Sequence, residues 1–203
     1  MKIVVIGANN SGKGTLVKLI AEKTGLNIIS SSQKLEECGL DIKTGKLLPD
    51  EDVNKVMKEC LKGKDNYIIE GYPRTLNQNE YMKKNIDVPN LIIALNISEK
   101  EVLRRATGRR ICKKCKEIYN LNGFKLPKKE GICDSCGGVV EHREDDHEEV
   151  VKRRYNEYIE MTEPIINSFK YGAFEAIVWE FEATDDCKKS AEIIAEYINY
   201  MLK

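Results

Sequence analysis

The first residues able to do chemistry are Gly7-Ala8-Asn9-Asn10-Ser11-Gly12-Lys13-Gly14-Thr15. Glycines let a backbone curl until several N–H groups point inward, and such a nest binds phosphate oxygens. A helix beginning there adds partial positive charge. Lys13 then reaches the outer phosphates, and the Thr15 hydroxyl helps place a metal ion. Lacking a strand before and a helix after, the same stretch would be a plain turn with an exposed lysine. The second group is four of the seven cysteines, Cys112-x-x-Cys115 and Cys133-x-x-Cys136, separated by residues 116 to 132. Two close pairs at this spacing read as one tetrahedral zinc site, structural because four thiolates leave no open position. A redox pair is the competing reading, disfavoured because two pairs at zinc spacing occur together. Cys38, Cys60 and Cys187 are scattered, and an odd count argues against a disulfide framework.

Positioning these groups requires strands that alternate with helices. Lys2–Ile6 reads as a buried strand and Lys13–Lys23 as the helix after the loop. Short strands are expected at Asn27–Ile29, Tyr67–Glu70, Leu91–Asn96 and Ala176–Trp179. Asp50–Leu61 reads as a helix with acids in its first turn. Ser98-x-x-Glu101 has the form of a capping box. A long helix is expected from Arg143 to Lys170, interrupted at Pro164, and a last one over Asp185–Leu202. This rhythm predicts an α/β fold: a five-stranded parallel sheet in three layers, with ligands at the carboxyl ends of its strands. Ile111 to Glu141 breaks the rhythm and is expected to be organised by metal rather than by a core. His142 and His147 beside it read as surface residues.

Composition sets bounds. The chain has 203 residues, 33 basic and 33 acidic side chains, and 41% hydrophobic residues. A formal net charge of zero speaks against a general nucleic-acid binder. No apolar run approaches the roughly 20 residues of a membrane span, and the first strand lacks a signal-peptide pattern. The expectation is a cytoplasmic protein with no nucleic-acid or membrane partner.

The Gly12-Lys13-Gly14-Thr15 tail resembles the phosphate loop of nucleoside monophosphate kinases, especially the adenylate kinase family. The departure is Asn9-Asn10, where the family usually has Pro-Gly; asparagine tolerates positive φ. The resemblance extends over nearly the whole chain. It runs through Ile68-Ile69-Glu70-Gly71-Tyr72-Pro73-Arg74-Thr75, Gln78, Gly108-Arg109-Arg110, Arg143-x-Asp145-Asp146, Arg154 and Met161-Thr162-Glu163-Pro164. The two cysteine pairs resemble the zinc-holding lid of bacterial members.

The resemblance implies a phosphotransferase that moves the terminal phosphoryl group of Mg-ATP to AMP, reversibly giving two ADP. The implied domains are a single P-loop kinase unit over 1–203, an acceptor segment over 30–48, and an inserted zinc lid over 110–142. Lys13, Arg74, Arg109, Arg143 and Arg154 would surround the transferred group, because planar guanidinium forks grip phosphate oxygens and stay charged. ATP would be held by Asn10, Ser11, Gly12, Lys13, Gly14, Thr15, Arg105 and Arg109. AMP would be held by Ser31, Lys46, Leu47, Leu48, Gly71, Tyr72, Arg74, Gln78, Arg143 and Arg154. Glu70 would hold Mg²⁺ through water, where the family usually has Asp. A structural Zn²⁺ would sit on Cys112, Cys115, Cys133 and Cys136. Family members of this length are usually monomers. The acceptor side departs: Ser30-Ser31-Ser32-Gln33 is unusual, Glu36 replaces an arginine, and the segment is about a dozen residues short by family pattern. Three outcomes keep the charges sensible: Glu36 points away, Lys34 or Lys43 substitutes, or the acceptor differs. A kinase for CMP, UMP or GMP, or a weakly active ATP-binding sensor, are the alternatives.

Overall fold

Alternation along the central strands decides the layering. Val4 and Ile6 of β1 (Lys2–Gly7), Ile69 of β3 (Tyr67–Glu70), and Ile92 and Ala94 of β4 (Leu91–Asn96) belong to one apolar cluster. Their neighbours Ile3, Val5, Ile68, Leu91 and Ile93 belong to the other. Strands buried on both faces must lie in the middle of three layers. In the computed structural model, which describes residues 1–42, 45–122, 125–143, 146–172 and 176–203, they do. The sheet order is β2-β3-β1-β4-β8, all parallel, with β2 at Asn27–Ser30 and β8 at Ile177–Glu182.

Helices cover each face through their own apolar stripes. Leu16, Val17 and Ile20 of α1 (Lys13–Thr24) and Ala191, Ile194 and Ile198 of α8 (Lys188–Met201) cover the Ile3 face. The Val4 face takes α2 (Ser31–Glu37), α3 (Asp50–Leu61), α4 (Leu76–Asn85), α5 (Glu99–Gly108), α6 (Glu148–Glu157) and α7 (Glu163–Lys170). No helix among the described residues is long and apolar enough to cross a membrane. The chain winds to one side of β1 and then crosses to the other, so a crevice opens at the carboxyl ends of β1 and β3.

A second, antiparallel sheet is inserted where α5 ends. Its order is β6-β5-β7, from β5 (Arg109–Cys112), β6 (Ile118–Asn120) and β7 (Val140–His142). Its buried cluster is Cys112, Tyr119, Cys133 and Val140, too small to fold by apolar burial alone.

The expected sheet is present, and β3, β4 and α3 fall on the anticipated residues. Four boundaries need correction. The helix expected from Arg143 starts at Glu148, because Asp146 is drawn away to Arg109 and Glu148 and Glu149 supply the first turn. The break near Pro164 is a π-helical turn, Tyr158–Thr162, and the proline opens α7. The last helix starts at Lys188, because Asp186 caps its first turn by accepting from Lys188 N at 2.9 Å. The last strand continues to Glu182. α2 and α4 were not anticipated. α4 buries Gln78 and Asn79 alongside Met82, which hides its apolar period. Ser98 caps α5 as expected, accepting from Glu101 N at 3.3 Å, but the Glu101 carboxylate grips Arg104 and Arg105 instead of closing the box.

The junction between α5 and β5 is close-packed. Asn120 Nδ2 donates to Arg105 O at 3.0 Å, and Asn122 Nδ2 to Arg104 O at 2.6 Å, so both satisfy carbonyls at the helix end. A side chain at Gly108 would press on the Asn120 and Asn122 amides. Gly108→Ala is expected to destabilise the protein by about 1–3 kcal/mol; an unchanged denaturant midpoint would refute this packing.

Candidate active site

The loop between β1 and α1 turns on two left-handed residues, Asn10 at φ 62° and Gly12 at φ 94°. Asparagine therefore does supply the positive φ that its place in the loop requires. Gly12 offers no side chain to cap α1, so the first-turn N–H groups are left for a ligand. The Asn10 amide and the Ser11 hydroxyl are buried, with no hydrogen-bond partner among the described residues. Unmet donors beside a helix start suit an anion with several oxygens. Lys13 Nζ donates to Gly7 O at 2.6 Å and Ala8 O at 2.7 Å.

Two adjoining pockets form one cleft at the sheet's carboxyl edge. They share Gly45, Leu47, Gly71, Arg74 and Arg154. The inner part adds Asn9, Lys13, Glu157 and Thr162. The outer part adds Ser32, Lys46, Leu48, Gln78 and Arg143. Local bonds set the cations. Arg74 Nε donates to Gly71 O at 2.9 Å, Thr162 Oγ1 donates to Arg74 O at 2.7 Å, and Arg154 Nη2 donates to Asn9 Oδ1 at 3.2 Å. Ser31 Oγ donates to Gly71 O at 2.7 Å, tying α2 to the cleft wall.

Other expected site residues stand elsewhere. The Tyr72 ring is in the core, its hydroxyl donating to Asn54 Oδ1 at 2.8 Å. Thr15 is exposed on α1, and neither part of the cleft includes it. Arg105 is buried and bridges the loop to the segment after β8, donating to Ser11 O at 3.1 Å and Ala183 O at 2.8 Å. Arg109 makes a two-pronged pair with buried Asp146 at 2.5 and 2.6 Å. Glu36 is exposed on α2 and lines neither part of the cleft, the first of the three outcomes weighed for it. Lys34 pairs with Glu37 at 2.6 Å. Lys43 and Asp145 lie outside the described residues. His142 and His147 are exposed, as expected.

Sequence reasoning missed the parts played by two acids, Glu157 and Glu101, and anticipated that of Glu70. Glu157 lines the cleft, and its charge acts on Arg74. Glu101 binds Arg104 and Arg105, a pairing its spacing of three and four residues could have signalled. Glu70 ends β3, with a carboxylate oxygen 3.4 Å from where a side chain on Gly14 would begin. An acid there fits a hydrated magnesium ion at the start of α1.

The four cysteine sulfurs lie within 4.8 Å of one another, with Cys112–Cys136 and Cys115–Cys133 each at 3.5 Å. Four thiolates around zinc stand about 3.8 Å apart, from Zn–S bonds near 2.3 Å. Gly138 is needed beside them, since a Cβ there would come within 3.0 Å of Cys112 Sγ. Tyr119 Oη donates to Cys133 Sγ at 3.4 Å and accepts from Asp134 N at 2.8 Å. The group is compatible with a structural zinc ion.

Crowded cations change proton affinities. Lys13 falls from 10.5 to about 7, chiefly through burial, with Glu70 opposing and Arg74, Arg154 and Arg109 adding to the fall. Arg74 falls to about 10, again chiefly through burial, then through Arg154. Between the folded and unfolded values of Lys13, the unfolded chain holds a proton that the folded chain has released. The contribution of Lys13 to stability therefore rises with pH across that window. The wild-type unfolding midpoint should climb more steeply from pH 7 to about pH 9.5 than that of Lys13→Met. Equal slopes in the two proteins would contradict the lowered proton affinity of Lys13.

Residues 5–173 match the family model described as adenylate kinase. The adenylate kinase of Pseudothermotoga lettingae is 36% identical over 220 aligned positions that span all of both chains. That of Fervidobacterium nodosum is 38% identical, covering 84% of this chain and 86% of its own. That of Archaeoglobus fulgidus is 34% identical, covering 98% and 99%. A glycine loop with unmet donors, arginines converging on its cleft, and this match over most of the chain place the protein in the adenylate kinase family.

Proposed function

We propose that the protein transfers the terminal phosphoryl group of Mg-ATP to AMP, reversibly giving two ADP. The observation that carries this reading is the single cleft shared by Lys13, Arg74, Arg154 and Arg143, opening from a phosphate loop whose polar groups lack partners. Bringing two nucleotides together concentrates negative charge, and little covalent work is left for the protein. Alignment and neutralisation supply most of the rate.

In this reading, Asn10, Ser11, Gly12 and Gly14 cradle the donor phosphates. Lys13 leaves the Gly7 and Ala8 carbonyls for a phosphate oxygen, which also restores its proton by adding negative charge nearby. Arg74 grips the acceptor phosphate from the wall shared by both parts of the cleft. Arg154 and Arg143 neutralise the group in flight. Arg109 joins them from the base of the small sheet, held by Asp146 until a stronger anion competes. Arg105 fixes the donor side of the loop. Glu70 would order the water shell of a magnesium ion, which when bound would offset the charge of the donor phosphates.

Residues 110–142 act as a lid, and residues 30–48 with the start of α3 form the acceptor side. Zinc on Cys112, Cys115, Cys133 and Cys136 would make the lid one rigid body that closes and shuts out water. The reading of Gln78 as the group facing the acceptor base rests on its place in the outer cleft.

ADP formation from Mg-ATP should be rapid with AMP in a panel that includes CMP, UMP, GMP and dAMP. Turnover only with a different monophosphate would move the acceptor assignment, and ATP binding without turnover would favour a sensor. Lys13→Ala should lower turnover by about 10²-fold or more while leaving the fold intact. Purified protein should carry about one zinc per chain. Metal-free protein with all seven thiols reactive in the native state would exclude the zinc lid.

A further inference from the structure

Asp50 carries no part in the mechanism above, yet both its oxygens are committed at the edge of the acceptor cleft. Oδ1 accepts from Gln78 Nε2 at 2.7 Å, and Oδ2 accepts from Thr75 Oγ1 at 2.9 Å. The other end of the Gln78 amide is held too, because Oε1 accepts from Arg74 N at 2.8 Å. The Gln78 backbone N–H donates to Thr75 Oγ1 at 3.1 Å, so the hydroxyl both caps α4 and steadies the carboxylate. Gln78 is buried and still lines the outer cleft.

A carboxylate accepts only, and a backbone N–H donates only. Turning the Gln78 amide over would set Nε2 against an N–H and Oε1 against a carboxylate, two repulsive contacts in place of two bonds. The amide therefore has one orientation. Among the described residues each end keeps one position without a partner, a second N–H on Nε2 and a second lone pair on Oε1.

We infer that Asp50 is a positioning residue that fixes the Gln78 amide and thereby selects acceptors whose base carries an exocyclic amino group beside an acceptor ring nitrogen. This rests on the reading that Gln78 faces the acceptor base. An aminopurine or aminopyrimidine donates from its amino group to Oε1 and accepts from Nε2 at the ring nitrogen. An oxo base presents the reverse order, with a carbonyl beside a ring N–H. With the acceptor phosphate held by Arg74, the base cannot turn over to compensate. Two bases of nearly identical size are thus separated by hydrogen-bond polarity, the kind of discrimination a buried polar pair achieves and an apolar pocket does not.

The test compares AMP with IMP, which share shape and differ at this edge. Wild type should prefer AMP by about 10²-fold or more in kcat/KM. Asp50→Ala should shrink that preference by about tenfold or more, mainly through the KM for AMP. Asp50→Asn, which still offers an oxygen to Nε2, should stay within a few-fold of wild type. An unchanged preference in folded Asp50→Ala, or wild-type preference for IMP, would overturn the assignment. A second readout needs neither variant nor nucleotide. One Gln78 Nε2 proton in the free wild-type protein should show slowed solvent exchange and a shifted side-chain amide resonance; two freely exchanging protons would refute the bond to Asp50. Failure to use any monophosphate would count against the phosphotransfer reading alone, and the amide resonance would still decide the role of Asp50.

Discussion

Repulsion among part-buried cations is the constraint around which the rest of the molecule is arranged. Arg74, Arg154 and Arg109 all act on Lys13, and Arg154 and Arg143 act on Arg74, with Glu70 and Glu157 as nearby opposing charges. Removing charges from water is costly, and leaving like charges together adds to that cost. The chain answers with a separate partner for each. Lys13 rests on two carbonyls, Arg74 on Gly71 O, Arg154 on the Asn9 amide and Arg109 on Asp146. A ligand rich in negative charge would offset that repulsion.

Those partners come from places the fold brings together at the end of one sheet. β1 delivers the loop, β3 delivers Glu70 and Gly71, and the π-helical turn after α6 delivers Thr162. α5 has two tasks. Its Glu101 aligns Arg105 against the loop, and its last residue leads directly into the small sheet. Whatever moves that sheet therefore pulls on the same helix that braces the phosphate loop.

Much of this was legible in the sequence because it rests on local rules. Continuous apolar runs at Lys2–Ile6 and Leu91–Asn96 can only be buried parallel strands, and the glycine loop between strand and helix fixes where anions go. The paired cysteines gave their own grouping by spacing. What stayed hidden depends on residues far apart in the chain. Nothing in the spacing of Asp50 and Gln78 announces their bond, and Glu36 could not be turned outward without knowing which face of α2 is exposed. α4 escaped because its buried face carries two polar groups, Gln78 for the site and Asn79, which donates to Ser168 Oγ of α7. The late start of α6 has the same origin, since Asp146 serves Arg109 instead of the helix.

The bidentate pair between Arg109 and Asp146 has a consequence for how this chain can vary. The small sheet leaves the main body at Gly108 and returns by Asp146, and the pair clamps departure and return together. A segment with its ends already fastened adds little closure entropy whatever its contents, since that cost grows only slowly with length. The insertion is thus a cassette: its interior can be lengthened, shortened or exchanged while the parent sheet keeps its register, provided the clamp at its neck is retained.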